Sequence, residues 1–123
     1  MAERESDLIP VMNFGDLVKV DFGTPIGSEA GFWRPAVVCT SDSFLRYRPT
    51  TIFVVPLTST HRTFPSHIEV EPDQQNLLNE TSYILVEQLR AVSPLRCSST
   101  GGNVGSAVAL QITEIVTMII GMP

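Results

Sequence analysis

The chain has 123 residues, 43% of them hydrophobic, which is enough for one buried core and too little for two ordinary domains. Thirteen acidic residues against eight basic ones leave a net charge of −5, which excludes a broad basic surface for gripping duplex DNA; any nucleic-acid contact must be local. Cys39 and Cys97 lack CxxC spacing in a chain with no secretory signal, so free thiols are expected rather than a disulfide or a zinc site.

Residues 1–12 read as an N-terminal extension, with Glu3, Arg4, Glu5 and Asp7 among few apolar residues. This is neither a signal nor a transit peptide, so a cytoplasmic location is expected. A single domain is expected over 13–123. Leu17-Val18-Lys19-Val20-Asp21-Phe22 is a first strand, bounded by the turn signals Gly15-Asp16 and Gly23-Thr24-Pro25. Residues 23–33 have no sustained periodicity and form a long mobile loop of the kind that carries function. Pro35-Ala36-Val37-Val38-Cys39-Thr40 is a short apolar strand with its proline at the start, where a missing N–H is tolerated. Residues 41–49, with Arg46, Tyr47 and Arg48, read as a polar loop.

Thr51-Ile52-Phe53-Val54-Val55-Pro56-Leu57 is rich in β-branched and aromatic residues and predicts a central strand buried on both faces. Ser66-His67-Ile68-Glu69-Val70-Glu71 alternates with period two, which gives one wet face. Residues 73–79 fit a brief helical turn. Residues 82–92 are too long for one flat strand, and a bend near Glu87 or Gln88 would turn a barrel corner. Ser93-Pro94 suits a short turn.

Gly101-Gly102-Asn103-Val104-Gly105 leads to Ser106, placed to N-cap a helix over 107–120. Val108, Ile112, Ile115, Val116, Ile119 and Ile120 form its apolar stripe. The interrupted apolar stretch 108–122 is shorter than the roughly 20 residues of a membrane span, so no membrane contact is expected. Five or six short strands and one terminal helix predict a mostly β chain with minor α, an SH3-like barrel. The helix is also apolar at Ala109, Leu110 and Met118, more than one barrel flank needs, so a partner subunit is expected to cover the surplus.

Four short motifs in order resemble the MazF/PemK ribonuclease toxins. Gly15-Asp16 and its strand are followed by Gly27-Ser28-Glu29 and Arg34-Pro35 with an apolar strand; then come Val55-Pro56-Leu57-Thr58, Glu87-Gln88-Leu89-Arg90 and the apolar terminal helix. Each is weak alone, and their order and spacing over nearly the whole chain make the resemblance strong. It implies an SH3-like barrel, a homodimer, and cleavage of single-stranded RNA to a 2′,3′-cyclic phosphate and a 5′-hydroxyl, with no cofactor. It also implies a cognate MazE-like antitoxin with an acidic, disordered C-terminal segment. By the resemblance, Arg34 matches the catalytic arginine, Thr58 the catalytic threonine and Glu29 the loop glutamate, while Ser28 and Gln88 match positions near the bound RNA.

Cleavage through the RNA's own 2′-hydroxyl requires a proton acceptor, a donor to the leaving 5′-oxygen and charge to stabilise the phosphorane-like transition state; no metal is demanded. Arg34 suits the charge role, because a guanidinium presents a fixed fork of donors to phosphate oxygens, whereas it is a poor proton donor at neutral pH. Its acid role comes from the resemblance alone. Thr58 at a strand end suits either a phosphate contact or a turn bond to nearby backbone. Glu29 suits either the proton acceptor or a solvated loop carboxylate. His61 is the better placed histidine for a supplementary acid or base, and His67 is expected to be structural. The two histidines make no metal site, lacking an i, i+4 pair or a third ligand.

Phe32, Trp33, Arg46, Tyr47, Arg48 and Arg62 give the loops a locally basic, aromatic character suited to unpaired bases. Trp33 suits base stacking, the core or a dimer contact equally well. Two rivals stand beside the ribonuclease reading. A CcdB-like gyrase poison would share the barrel, although aromatic residues expected at the helix end are missing from Ile119-Ile120-Gly121-Met122-Pro123. A catalytically silent SH3-like binding module would not need Arg34 and Thr58.

Overall fold

The computed structural model describes residues 9–121, so the first eight residues of the expected extension lie outside it. Seven strands and two α-helices follow one another: β1 (Asp16–Asp21), β2 (Trp33–Val38), α1 (Asp42–Leu45), β3 (Ile52–Thr58), β4 (His67–Val70), β5 (Ser82–Leu85), β6 (Arg90–Val92), β7 (Cys97–Asn103) and α2 (Ser106–Ile120). All strand pairs are antiparallel, in the order β4-β5-β3-β2-β1-β7, with β6 also on β3. The first half of β3 pairs with β6 and its end with β5, so two sheets diverge from one strand. Between β5 and β6 the chain makes a 3-10 turn at Val86–Gln88, which is the expected corner. No ladder joins β4 to β7 among the described residues, and the expected barrel is open along that line.

Both faces of the central strands are buried, which is why β2 and β3 read as continuous apolar runs. Leu17, Val37, Val55 and Leu57 point into one cluster, and Val18, Val20, Ala36, Val38 and Val54 into another on the opposite face. The first cluster is completed by Ala109 and Ile112 of α2, which packs on β4 and the 3-10 turn. Ile112 is 1% exposed; burying such a side chain contributes about 1.5–3 kcal/mol. Both cysteines are free, and burial raises the Cys39 thiol to about 12 and that of Cys97 to about 11.

Three expectations are corrected. The segment Cys97–Asn103 is a strand, although its sequence, CSSTGGN, has little strand character. Backbone bonding to β1 holds it, interrupted by a bulge at Leu17/Val18 where the Thr100 hydroxyl donates to the Leu17 carbonyl at 2.6 Å. A Cβ on Gly102 would run into the Asn76 carbonyl, so glycine is required for that close approach. The N-cap of α2 is Gly105, not Ser106: its φ of +87° suits glycine, and its N–H donates to the Asn103 side chain at 2.7 Å. Within the expected polar loop, Ser41 caps the short α1 by accepting from the Phe44 N–H. Residues 73–79 make the expected brief helical turn, closed by the Leu77 N–H donating to the Asp73 carbonyl at 3.1 Å, with Asp73 and Asn76 side chains accepting further backbone N–H groups.

Candidate active site

Arg34 enters β2 and Thr58 ends β3. The register pairs Ala36 with Pro56; continued two residues outward, it sets Arg34 opposite Thr58. A cavity of about 220 Å³ opens there, lined by Arg34, Pro35, Leu57, Thr58, Ser59, Glu80 and Ser82. The two residues expected to carry the chemistry therefore share one cleft. Arg34 is half-buried, its Nε donates to the Gly31 carbonyl at 3.1 Å, and it makes no ion pair among the described residues. Its Nη groups carry no hydrogen bond there either, which leaves them for an anion. Thr58 Oγ1 accepts from the Thr60 N–H at 3.2 Å, the turn bond expected of a threonine, while its O–H has no acceptor among the described residues.

Glu29 is not in this cleft. Its Oε1 accepts from the Ile26 N–H at 2.8 Å, and its own N–H donates to the Ile26 carbonyl at 3.2 Å, so the carboxylate closes a turn inside the β1–β2 loop. The carboxylate that does line the cleft is Glu80. The sequence offers no local signal for it, because Glu80 precedes β5 and reaches the cleft only through β5 pairing with β3.

The β1–β2 loop, expected to be mobile, is tied at several points. Phe22 donates to the Phe32 carbonyl at 2.9 Å and Phe32 to the Gly23 carbonyl at 2.7 Å, which closes its neck. Phe32 holds a φ of +57°, a conformation that is strained for an aromatic residue. Gln88 reaches across from the 3-10 turn: its Oε1 accepts from the Ala30 N–H at 2.6 Å and its Nε2 donates to the Ser28 carbonyl at 2.9 Å. Ser28 itself is exposed. Behind Gln88, Glu87 accepts from the Ser66 hydroxyl at 2.9 Å and lies 2.8 Å from His67 Nε2. Burial pushes the Glu87 carboxyl up, but the hydrogen bonds from His67 and Ser66 outweigh it and hold the group below its ordinary range. His67 Nδ1 is buried without a partner, which favours the tautomer with its proton on Nε2.

The other expected substrate contacts scatter. His61 stacks at 5.1 Å on Tyr83, next to the cleft residue Ser82. Arg62 is exposed in the same loop. Trp33 is 59% exposed, which removes the core from its three readings. Arg46, Tyr47 and Arg48 lie at the other end of β2 and β3 from Arg34 and Thr58, and the arginines border a separate cavity of about 750 Å³ between residues 9–13 and Pro94–Leu95. Within one chain they do not join the cleft. Among the described residues no group of three His, Cys, Asp or Glu side chains could hold a metal ion, and no helix is long and apolar enough to cross a membrane.

The fold with this cleft at the start of β2 is that of the MazF-like toxins. A MazF from Deinococcus radiodurans superposes with a TM-score of 0.74, at 22% identity, over 93% of this chain and 98% of that one. An endoribonuclease from a mycobacterial species, solved with its cognate antitoxin, gives 0.73 at 19% identity, over 92% and 98%. Sequence comparison reaches beyond the fold. The profile of the "PemK-like, MazF-like toxin of type II toxin-antitoxin system" family matches residues 13–120. The Endoribonuclease MazF of Staphylococcus saprophyticus is 32% identical over 87 residues, 70% of this chain and 72% of that protein. That of Staphylococcus epidermidis is 26% identical over 109 residues, 88% and 90%. The chain belongs to the PemK-like, MazF-like toxins of type II toxin–antitoxin systems.

Proposed function

We propose that the protein is an endoribonuclease toxin that cleaves single-stranded RNA, leaves a 2′,3′-cyclic phosphate and a 5′-hydroxyl, and requires no metal. The observation that carries this is the shared cleft of Arg34 and Thr58. The RNA supplies its own nucleophile, so the protein has to hold the phosphodiester, stabilise the charge on phosphorus and take one proton from the 2′-hydroxyl. As the 2′-oxygen bonds to phosphorus, the bond to the 5′-oxygen breaks and that oxygen takes up a proton from water, matching the one the 2′-hydroxyl gives up.

Arg34 presents its free Nη donors to the phosphate oxygens and the leaving oxygen, and Thr58 donates its O–H to the same phosphate. Glu80 takes the proton acceptor's part in the conformation described, because Glu29 is engaged with Ile26 and must leave that turn to act. Trp33 and Arg62 are exposed and offer a ring and a cation for adjoining nucleotides, and His61 lies against Tyr83, next to Ser82 of the cleft lining.

Leu110, Met118, Ile119 and Ile120 are exposed apolar side chains of α2 that a second copy would cover. A cognate antitoxin is the natural inhibitor, in keeping with the mycobacterial structure described as an endoribonuclease with its cognate antitoxin. The test is incubation of the purified protein with single-stranded RNA in EDTA, followed by end-group analysis. Cleavage with cyclic-phosphate ends is expected, and Arg34→Ala should lose at least about a hundredfold in rate while melting like the wild type. A requirement for added metal, or a full rate in the variant, would overturn the reading.

A further inference from the structure

We infer that Gln88 is a positioning residue that clasps the β1–β2 loop and through it sets the guanidinium of Arg34. The activity arm of this inference rests on the ribonuclease reading above; its geometry does not. The Gln88 amide uses both ends on one short stretch of loop, accepting from Ala30 N–H and donating to Ser28 carbonyl, across about sixty residues of chain. The next residue, Gly31, offers the carbonyl that holds Arg34 Nε.

Gly31 has little freedom of its own. On its N-terminal side Ala30 is fixed by Gln88; on its C-terminal side Phe32 is fixed by both neck bonds in its left-handed conformation. Gly31 also lies so close against the Pro25 ring that a Cβ there would collide with it. Release of the clasp frees one side of this arrangement, and the Gly31 carbonyl is then no longer fixed where Arg34 meets it.

The clasp is itself anchored. Gln88 ends the 3-10 turn, and Glu87 before it bonds to Ser66 and to His67 of β4. A guanidinium held in place before the phosphate arrives needs no rearrangement during the reaction, whereas one free to rotate must be ordered at that moment. Gln88 was expected, from the resemblance, to lie near bound RNA; with both ends of its amide engaged by the loop, it acts on the reaction through Arg34 instead.

The experiment is amide and guanidinium hydrogen exchange by NMR on the full chain, paired with steady-state cleavage kinetics, for wild type, Gln88→Ala and Gln88→Glu. In Gln88→Ala, Ala30 N–H and Arg34 Nε–H should both exchange at least about tenfold faster, and kcat should fall about ten- to a hundredfold with KM within about twofold. Gln88→Glu keeps the acceptor for Ala30 and loses the donor to Ser28, so it should fall between the two. It also serves if Gln88→Ala does not fold.

Wild-type protection of Arg34 Nε–H in either folded variant would overturn the inference. So would lost protection with unchanged kcat, or a raised KM at constant kcat, the signature of a direct RNA contact. If the wild type cleaves no RNA, the ribonuclease reading fails while the exchange measurement still decides whether Gln88 sets Arg34.

Discussion

Arg34 stands opposite Thr58 one side-chain period beyond the paired Ala36 and Pro56, so the start of β2 and the end of β3 bring a cation and a hydroxyl to one cleft, while the β1–β2 loop holds Arg34 Nε. Sites built on strands hold their geometry better than sites built on loops. For Thr58 this separates two roles. Thr58→Val keeps the shape and removes the hydroxyl; its lost turn bond to Thr60 should cost about 1 kcal/mol or less, but kcat should fall about ten- to a hundredfold. Thr58→Ser should stay within about threefold in kcat. Equal rates for Val and wild type would reduce Thr58 to a turn residue.

The two carboxylates make opposite predictions. Glu80→Gln should lower kcat about a hundredfold or more, with melting unchanged, because Glu80 lines the cleft and no hydrogen bond engages its carboxylate among the described residues. Glu29→Gln keeps an acceptor for the Ile26 N–H and should alter kcat by less than about threefold. Cleavage kinetics of the two variants, measured side by side across pH, check the assignment, and a reversed order would return the proton acceptor's part to Glu29.

Glu87 sets an acid limit on stability. Its folded carboxyl sits below the ordinary 4.5, so its contribution is fully present above that pH and is lost as pH falls through the depressed folded value. Melting temperature should therefore drop on acidification below about pH 4.5 more steeply in the wild type than in Glu87→Gln. Thermal unfolding of both proteins between about pH 6 and pH 3 gives the comparison. Parallel curves would mean that the Ser66 and His67 bonds do not favour the charged form.

The exposed side of α2 predicts assembly. Leu110→Glu places a charge at an exposed apolar position with no partner among the described residues, so light scattering should fall from twice the 13.5 kDa chain mass to that mass, with helix content retained. A wild-type mass of one chain would show that α2 is not the dimer contact.

Much of this molecule was legible in residue pattern. The apolar run of β2 announced a short strand, that of β3 a central strand buried on both faces, and the over-long segment 82–92 announced the corner at Val86–Gln88, because one flat strand cannot accommodate it. β7 was hidden because Ser, Thr and Gly carry little strand propensity, and what holds them there is backbone bonding to β1. The cap at Gly105 was hidden for a related reason: its φ of +87° is a property of the path between β7 and α2, and Ser106 has the residue type of a cap without its place.

At the site, sequence alone determined which groups carry charge and hydroxyl, since Arg34 and Thr58 are chemically apt wherever they fall, and local apolar periodicity fixed the strands that hold them. Only the tertiary structure decided which groups meet. Register set Arg34 against Thr58, β5 brought Glu80 into their cleft, a local turn drew Glu29 away, and Gln88 closed on a loop far from it in sequence. Propensity and hydrophobic period act over a few neighbouring residues, whereas these encounters depend on strand pairing between distant segments, a choice made by burial of the whole core.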